Sequence, residues 1–199
     1  MVSSILELEA AKKLIDRAFN EISEEGLAIE YPPIGVMVEV PAAVYQAEEL
    51  AARADFLSVG SNDLTQYLLA VDRNNPQVAD LYHSFHPAVL QALHRVVLGA
   101  KSQGTPVSIC GELAGNPGGA ILLMAMGYDV LSMSATNLPK VKSVIRAITL
   151  SQAKALLDEV MKLPDAQSIN RCMEASLKRL GIGISAHPLS LQSTMSFHD

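Results

Sequence analysis

The sequence predicts an α/β protein in which four parallel strands, each with surrounding helices, make up half of a (β/α)8 TIM-type barrel. Three observations point there. Four short apolar runs punctuate the chain at Ile34–Glu39, Phe56–Gly60, Pro106–Cys110 and Val130–Met133. Helical spacing follows each run, and residues with chemical capability gather where the runs end. Continuous apolar runs read as parallel strands buried on both faces. Alternating β and α segments with right-handed crossovers give one parallel layer.

The elements follow in order. Ser4-Ile-Leu-Glu7 has capping-box spacing and opens a helix whose Leu8, Ala11, Leu14/Ile15, Ala18 and Ile22 recur at helical intervals. Gly26 is its stop. After the first strand, Pro41 starts a helix through about Arg53, since proline fits the first turn. The second strand ends at a loop, Ser61-Asn62-Asp63, before helical stretches over Leu64–Tyr82, broken near Asn74-Asn75-Pro76, and Pro87–Gly104. Asn116-Pro117 caps a helix through Gly127, and further helix covers Asn137–Ile148 and Ser151–Leu180. Residues 1–180 read as a partial barrel domain and 181–199 as a C-terminal tail without a clear period.

The 199 residues fall short of the ~250 typical of a complete barrel. With 49% hydrophobic residues and positive mean hydropathy the chain is not disordered. Twenty-one acidic side chains against 15 basic ones, a net charge of −6, argue against nucleic acid as a partner. Two cysteines, Cys110 and Cys172, do not make a disulfide framework and fit a reducing, cytoplasmic setting. No run reaches the ~18–20 apolar residues of a membrane span, so no membrane partner is expected.

The strand ends carry the chemistry, as expected of a rim where several βα loops converge. Glu39 ends the first strand and Asp63 follows the second. Two carboxylates on neighbouring strands suit Mg²⁺, which takes one or two from protein and the rest of its oxygens from water and substrate. The bland alternative is a pair of solvated or separately paired carboxylates. Arg73 has the fork to clamp a phosphate or carboxylate, and Asn62 has an amide to donate to one. Alternatively, Asn62 makes an Asx turn and Arg73 a surface ion pair. Cys110 is either a small buried hydrophobe or a proton donor to an enolate carbon. Cys172 and the histidines 83, 86, 94, 187 and 198 show no catalytic or metal spacing, although His86-Pro87 resembles a helix start.

Three strings in this order carry a resemblance: Gly35-Val-Met-Val-Glu-Val-Pro-Ala-Ala43, Gly60-Ser-Asn-Asp-Leu-Thr-Gln-Tyr67 and Cys110-Gly-Glu-Leu-Ala-Gly115. Together they resemble the PEP-utilising enzymes, specifically their C-terminal PEP/pyruvate-binding barrel. The third string is most similar to enzyme I, the PEP–protein phosphotransferase of the bacterial phosphotransferase system. Ser132-Met-Ser-Ala-Thr-Asn-Leu-Pro139 leans toward the nitrogen-related paralogue. The resemblance covers about residues 1–165. It implies Mg²⁺ held by Glu39 and Asp63, PEP phosphate contacted by Asn62 and Arg73, and Cys110 protonating the pyruvate enolate.

The resemblance also implies an HPr-like phosphocarrier as partner, through an N-terminal domain bearing the phosphorylated histidine, and a homodimer. Met1 begins where the family's fourth barrel strand would be ending. The expectation is therefore the C-terminal half of the barrel, part of a longer protein and inactive in phosphate transfer by itself. A lyase of the PEP/pyruvate superfamily, cleaving a C–C bond without phosphate, would not explain the Asn62 and Arg73 matches, and two further rivals stand beside this reading. One is a related PEP synthase or pyruvate phosphate dikinase, disfavoured by Glu112-Leu-Ala-Gly115. The other is a non-catalytic dimerisation or regulatory module, which would show no Mg²⁺-dependent binding of PEP.

Overall fold

The computed structural model describes residues 1–181. The remainder of the expected tail, residues 182–199, lies outside the described residues. Helix α1 (Ile5–Glu24) leads to strand β1 (Gly35–Val38), short helices α2 (Pro41–Tyr45) and α3 (Ala47–Ala51), and β2 (Phe56–Gly60). Helix α4 (Ser61–Leu69), a 3-10 turn (Ala79–Leu81) and α5 (Pro87–Ser102) connect to β3 (Val107–Cys110). Then come α6 (Glu112–Gly115), α7 (Pro117–Met126), β4 (Val130–Ser132), α8 (Leu138–Ala147), α9 (Leu150–Val160) and α10 (Ala166–Arg179).

The four strands lie parallel in the order β1-β2-β3-β4, each beside its successor in sequence. A sheet that keeps adding its next strand on the same side has the winding of a barrel segment, whereas a doubly wound sheet reverses direction. Register pairs Val36 with Leu57, Leu57 with Val107, Val38 with Val59 and Val59 with Ile109. All six of these residues are buried and share one face, because side chains alternate along a strand. Helices α3, α5 and α7 pack over the core that this face forms. Each such aliphatic side chain contributes about 1.5–3 kcal/mol on burial.

The opposite face corrects the expectation of strands buried on both sides. Met37, Ser58, Ser108 and Val130 align across it, with Phe56 beside Gly35. Met37 is 40% exposed, Phe56 37% and Val130 57%. Apolar composition alone could not distinguish this half-covered sheet from a fully covered one.

Helix boundaries differ from expectation where local chemistry intervenes. The segment from Pro41 is two short helices, broken at Gln46, whose φ of −108° departs from helix. Helix α4 starts directly after β2 and ends at Ala70, which has φ 53°, so Leu64–Tyr82 contains far less helix than its pattern implied. The stretch Ser151–Leu180 is divided by Pro164, and Asp165 caps α10 by accepting from the Ser168 amide at 2.8 Å. The capping box of Ser4 and Glu7 is present, but α1 buries only Leu8, and Leu14 is 68% exposed. His86 caps α5 as its position suggested, with Nδ1 accepting from the Ala88 amide at 3.1 Å.

Candidate strand-end site

Parallel pairing puts the C-terminal ends of β1, β2 and β3 along one edge of the sheet. Val38 pairs with Val59, and Gly60 with Cys110, so Glu39, the start of α4 and Cys110 stand level at that edge. The Glu39 carboxylate lies over Gly60: a Cβ at residue 60 would come within 3.0 Å of Glu39 Oε2. Glycine there leaves room for the carboxylate. Glu39 takes part in none of the ion pairs among the described residues.

Asn62 and Asp63 occupy the first turn of α4 rather than the loop the sequence suggested. An acidic residue in that turn lies near the positive end of the helix dipole, a stabilising placement. Burial pushes the Cys110 thiol above its ordinary pKa, and the negative charges of Glu39 and Asp63 push it further. Strand register and the contact of Glu39 with Gly60 put Glu39 and Cys110 level at this edge, and Asp63 follows in the first turn of α4. Glu39, Asp63 and Cys110 are thus brought together.

Ser61 and Asn62 fasten this region to the turn after β3. Ser61 is buried, and its hydroxyl donates to the Cys110 carbonyl at 2.8 Å. Asn62 Oδ1 accepts the Glu112 amide at 3.1 Å. Between them lies Gly111, with φ +118°, and a Cβ on it would run into both Ser61 Oγ and Asn62 Oδ1. Thr65 supports the same turn by donating to the Ser61 carbonyl at 2.7 Å. With Oδ1 engaged, Asn62 offers a ligand its NH₂ group.

Arg73 reaches the same rim from the segment after α4. Its guanidinium stands 3.7 Å from Asp63 Oδ1, and its amide donates to Gln66 Oε1 at 3.4 Å. Tyr82 closes that segment by donating its hydroxyl to the Asn62 carbonyl at 3.2 Å. Sequence reading missed Ser61, Thr65, Gln66 and Tyr82. Ser61 adjoins a residue already singled out, but nothing local marks Tyr82, whose role depends on a contact 20 residues away.

Two carboxylates, one thiol, one amide and one guanidinium at a strand-end rim have the donor chemistry to engage a small anion and a hard cation. Among the described residues, no three His, Cys, Asp or Glu side chains form a metal cage. A pair of oxygen donors fits Mg²⁺, which draws most of its coordination from water and substrate.

Comparison with known proteins shows the family. Residues 1–150 match the family described as "PEP-utilising enzyme, PEP-binding domain", and the chain belongs to that family. Among its relatives is the "Phosphoenolpyruvate-dependent phosphotransferase system" protein of Salmonella typhimurium, 43% identical over 184 residues. That match covers 92% of this chain and 25% of the relative. The "Phosphoenolpyruvate-protein phosphotransferase" of Haemophilus influenzae is 40% identical over 178 residues, covering 89% of this chain and 31% of the relative. The chain thus spans about a quarter to a third of the length of these relatives. A citrate lyase from Burkholderia xenovorans shows a slighter structural likeness, at TM-score 0.48 and 17% identity over 87% of this chain and 61% of that one.

Proposed function

We propose that the strand-end rim is the PEP-binding site of a Mg²⁺-dependent PEP–protein (histidine) phosphotransferase that starts a phosphotransferase relay and releases pyruvate. The observation that carries this reading is the placement of Glu39, Cys110 and the Asn62–Asp63 turn at one strand-end edge, with Arg73 beside Asp63. Family membership and relatives named as phosphoenolpyruvate–protein phosphotransferases support it.

In this reading Glu39 and Asp63 hold Mg²⁺, which would supply Lewis-acid stabilisation of charge growing on the phosphoryl and enolate oxygens. Arg73 is the fixed cation for the phosphate, and the Asn62 amide donates a hydrogen bond to it. The phosphoryl group leaves PEP for a histidine nitrogen as the P–O bond breaks. The enolate left behind takes a proton at C3 from Cys110, and the thiolate is reprotonated from solvent. A thiol kept protonated by its surroundings suits an acid that must retain its proton until the enolate forms.

The wider reading places an HPr-like phosphocarrier downstream, a cytoplasmic setting and a homodimer. Exposed Met37, Phe56 and Val130 on the uncovered sheet face support association. The leaning to the nitrogen-related paralogue rests on Ser132–Pro139 alone. Calorimetric titration of the 199-residue chain with PEP, with and without Mg²⁺, tests the reading. Mg²⁺-dependent binding heat is expected, and its loss in Asp63→Asn. Heat that ignores both the metal and that substitution would overturn the assignment.

A further inference from the structure

Between Ala70 and His86 the chain crosses the rim with no regular structure except the 3-10 turn, and it carries Arg73. It leaves α4 through Ala70, the only non-glycine residue with positive φ among the described residues. Three side-chain attachments tie the segment back to α4. The Arg73 amide to Gln66 is long at 3.4 Å, and the Arg73–Asp63 pair is open at 3.7 Å between two partly exposed side chains. Contacts of that length and exposure hold little. The third is Tyr82, whose half-buried side chain donates to the Asn62 carbonyl at 3.2 Å.

We infer that Tyr82 is a positioning residue: its hydroxyl ties the Arg73 segment to the first turn of α4, so that Arg73 and Asn62 are presented to a ligand together. Asn62 is the point where the ties meet. Its side-chain oxygen holds the Glu112 amide after β3, and its main-chain oxygen, with two lone pairs, has capacity for Tyr82. Tyr82 also sits among the groups that define the rim. Burial raises its pKa, the Thr65 and Ser84 hydroxyls and Arg73 oppose that rise, and Glu112 adds to it. Both ends of the segment are thereby fixed, one by helix α4 and the other by the tether, with Arg73 between them. The presentation of Arg73 to PEP rests on the function proposed above, whereas the tether itself does not.

The experiment pairs Tyr82→Phe, which removes only the hydroxyl, with Arg73→Ala and the double variant. Amide hydrogen exchange in the unliganded chain reads the tether. Tyr82→Phe is expected to speed exchange about tenfold over residues 71–82, the effect of losing one hydrogen bond, with α5 and α7 unchanged. Titration with PEP and Mg²⁺ reads the consequence. Affinity is expected to fall about tenfold in Tyr82→Phe and to fall no further when that change is added to Arg73→Ala. Unchanged exchange over 71–82 would overturn the tether. An equal affinity loss in the Arg73→Ala background would overturn positioning through Arg73. Absence of PEP binding by the parent chain would overturn the function proposed above, and the exchange result would then decide the tether alone.

Discussion

Cys110 shows how one residue can be read twice. At the end of an apolar strand it counts as a small hydrophobe, and the structure leaves it partly exposed and unpaired. Its surroundings keep it neutral, because burial and the charges of Glu39 and Asp63 all favour the protonated thiol. A thiol with raised folded-state pKa adds stability below the ordinary thiol range, and that contribution is lost as pH rises through the folded value. Alkylation by iodoacetamide, which requires the thiolate, reads the same shift. At pH 8 Cys110 should react more slowly than an unperturbed thiol, and Glu39→Gln should speed it by removing one repelling charge. A Cys110 rate equal to that of a free thiol, and indifferent to Glu39→Gln, would contradict this. That Glu39, Asp63 and Cys110 would share a strand-end rim was legible in the sequence, because parallel strands end at one edge, whereas the partial burial of the thiol was not.

Secondary elements were legible to different degrees, for physical reasons. All four strands lie within a residue of the apolar runs that predicted them, because a short apolar run bounded by turn residues leaves a strong local signal. Helix ends were less legible. The α4 pattern extends past Leu69, yet Ala70 turns left-handed and Tyr82 draws the following chain back to Asn62, a tertiary contact that overrides periodicity. The break between α9 and α10 falls at Pro164-Asp165, which the periodicity over Ser151–Leu180 ran past, and α9 itself opens on a capping box. There Thr149 Oγ1 accepts the Gln152 amide at 3.3 Å, while Gln152 Oε1 accepts the Thr149 amide at 2.9 Å. Helix α9 buries Ala153, Leu156, Leu157 and Val160 and packs on α7. Thr149→Ala is therefore expected to destabilise the chain by about 1 kcal/mol. Thermal unfolding should report this as a fall of about 2–4 °C. An unchanged midpoint would show that the cap contributes nothing to the docking of α9.

For the whole molecule, the sequential parallel sheet explains why residues far apart in the chain meet. Each βα crossover returns the chain to the same edge, so the ends of β1, β2 and β3 deliver Glu39, the Asn62–Asp63 turn and Cys110 to one rim. The same winding leaves one sheet face uncovered among the described residues, a feature invisible in the apolar runs themselves. The central claim is that this rim is a single Mg²⁺-dependent PEP site. Its most direct test is the alkylation rate of each cysteine, followed by mass spectrometry with Mg²⁺ alone and with Mg²⁺ plus PEP. Cys172, on α10, serves as an internal control. Mg²⁺ alone should speed modification of Cys110, because a cation between Glu39 and Asp63 offsets the charges that hold the thiol neutral. Adding PEP at ten times its dissociation constant should then slow Cys110 about tenfold, as occupancy dictates, with Cys172 unchanged. A Cys110 rate indifferent to both ligands, or equal protection of Cys172, would contradict the claim.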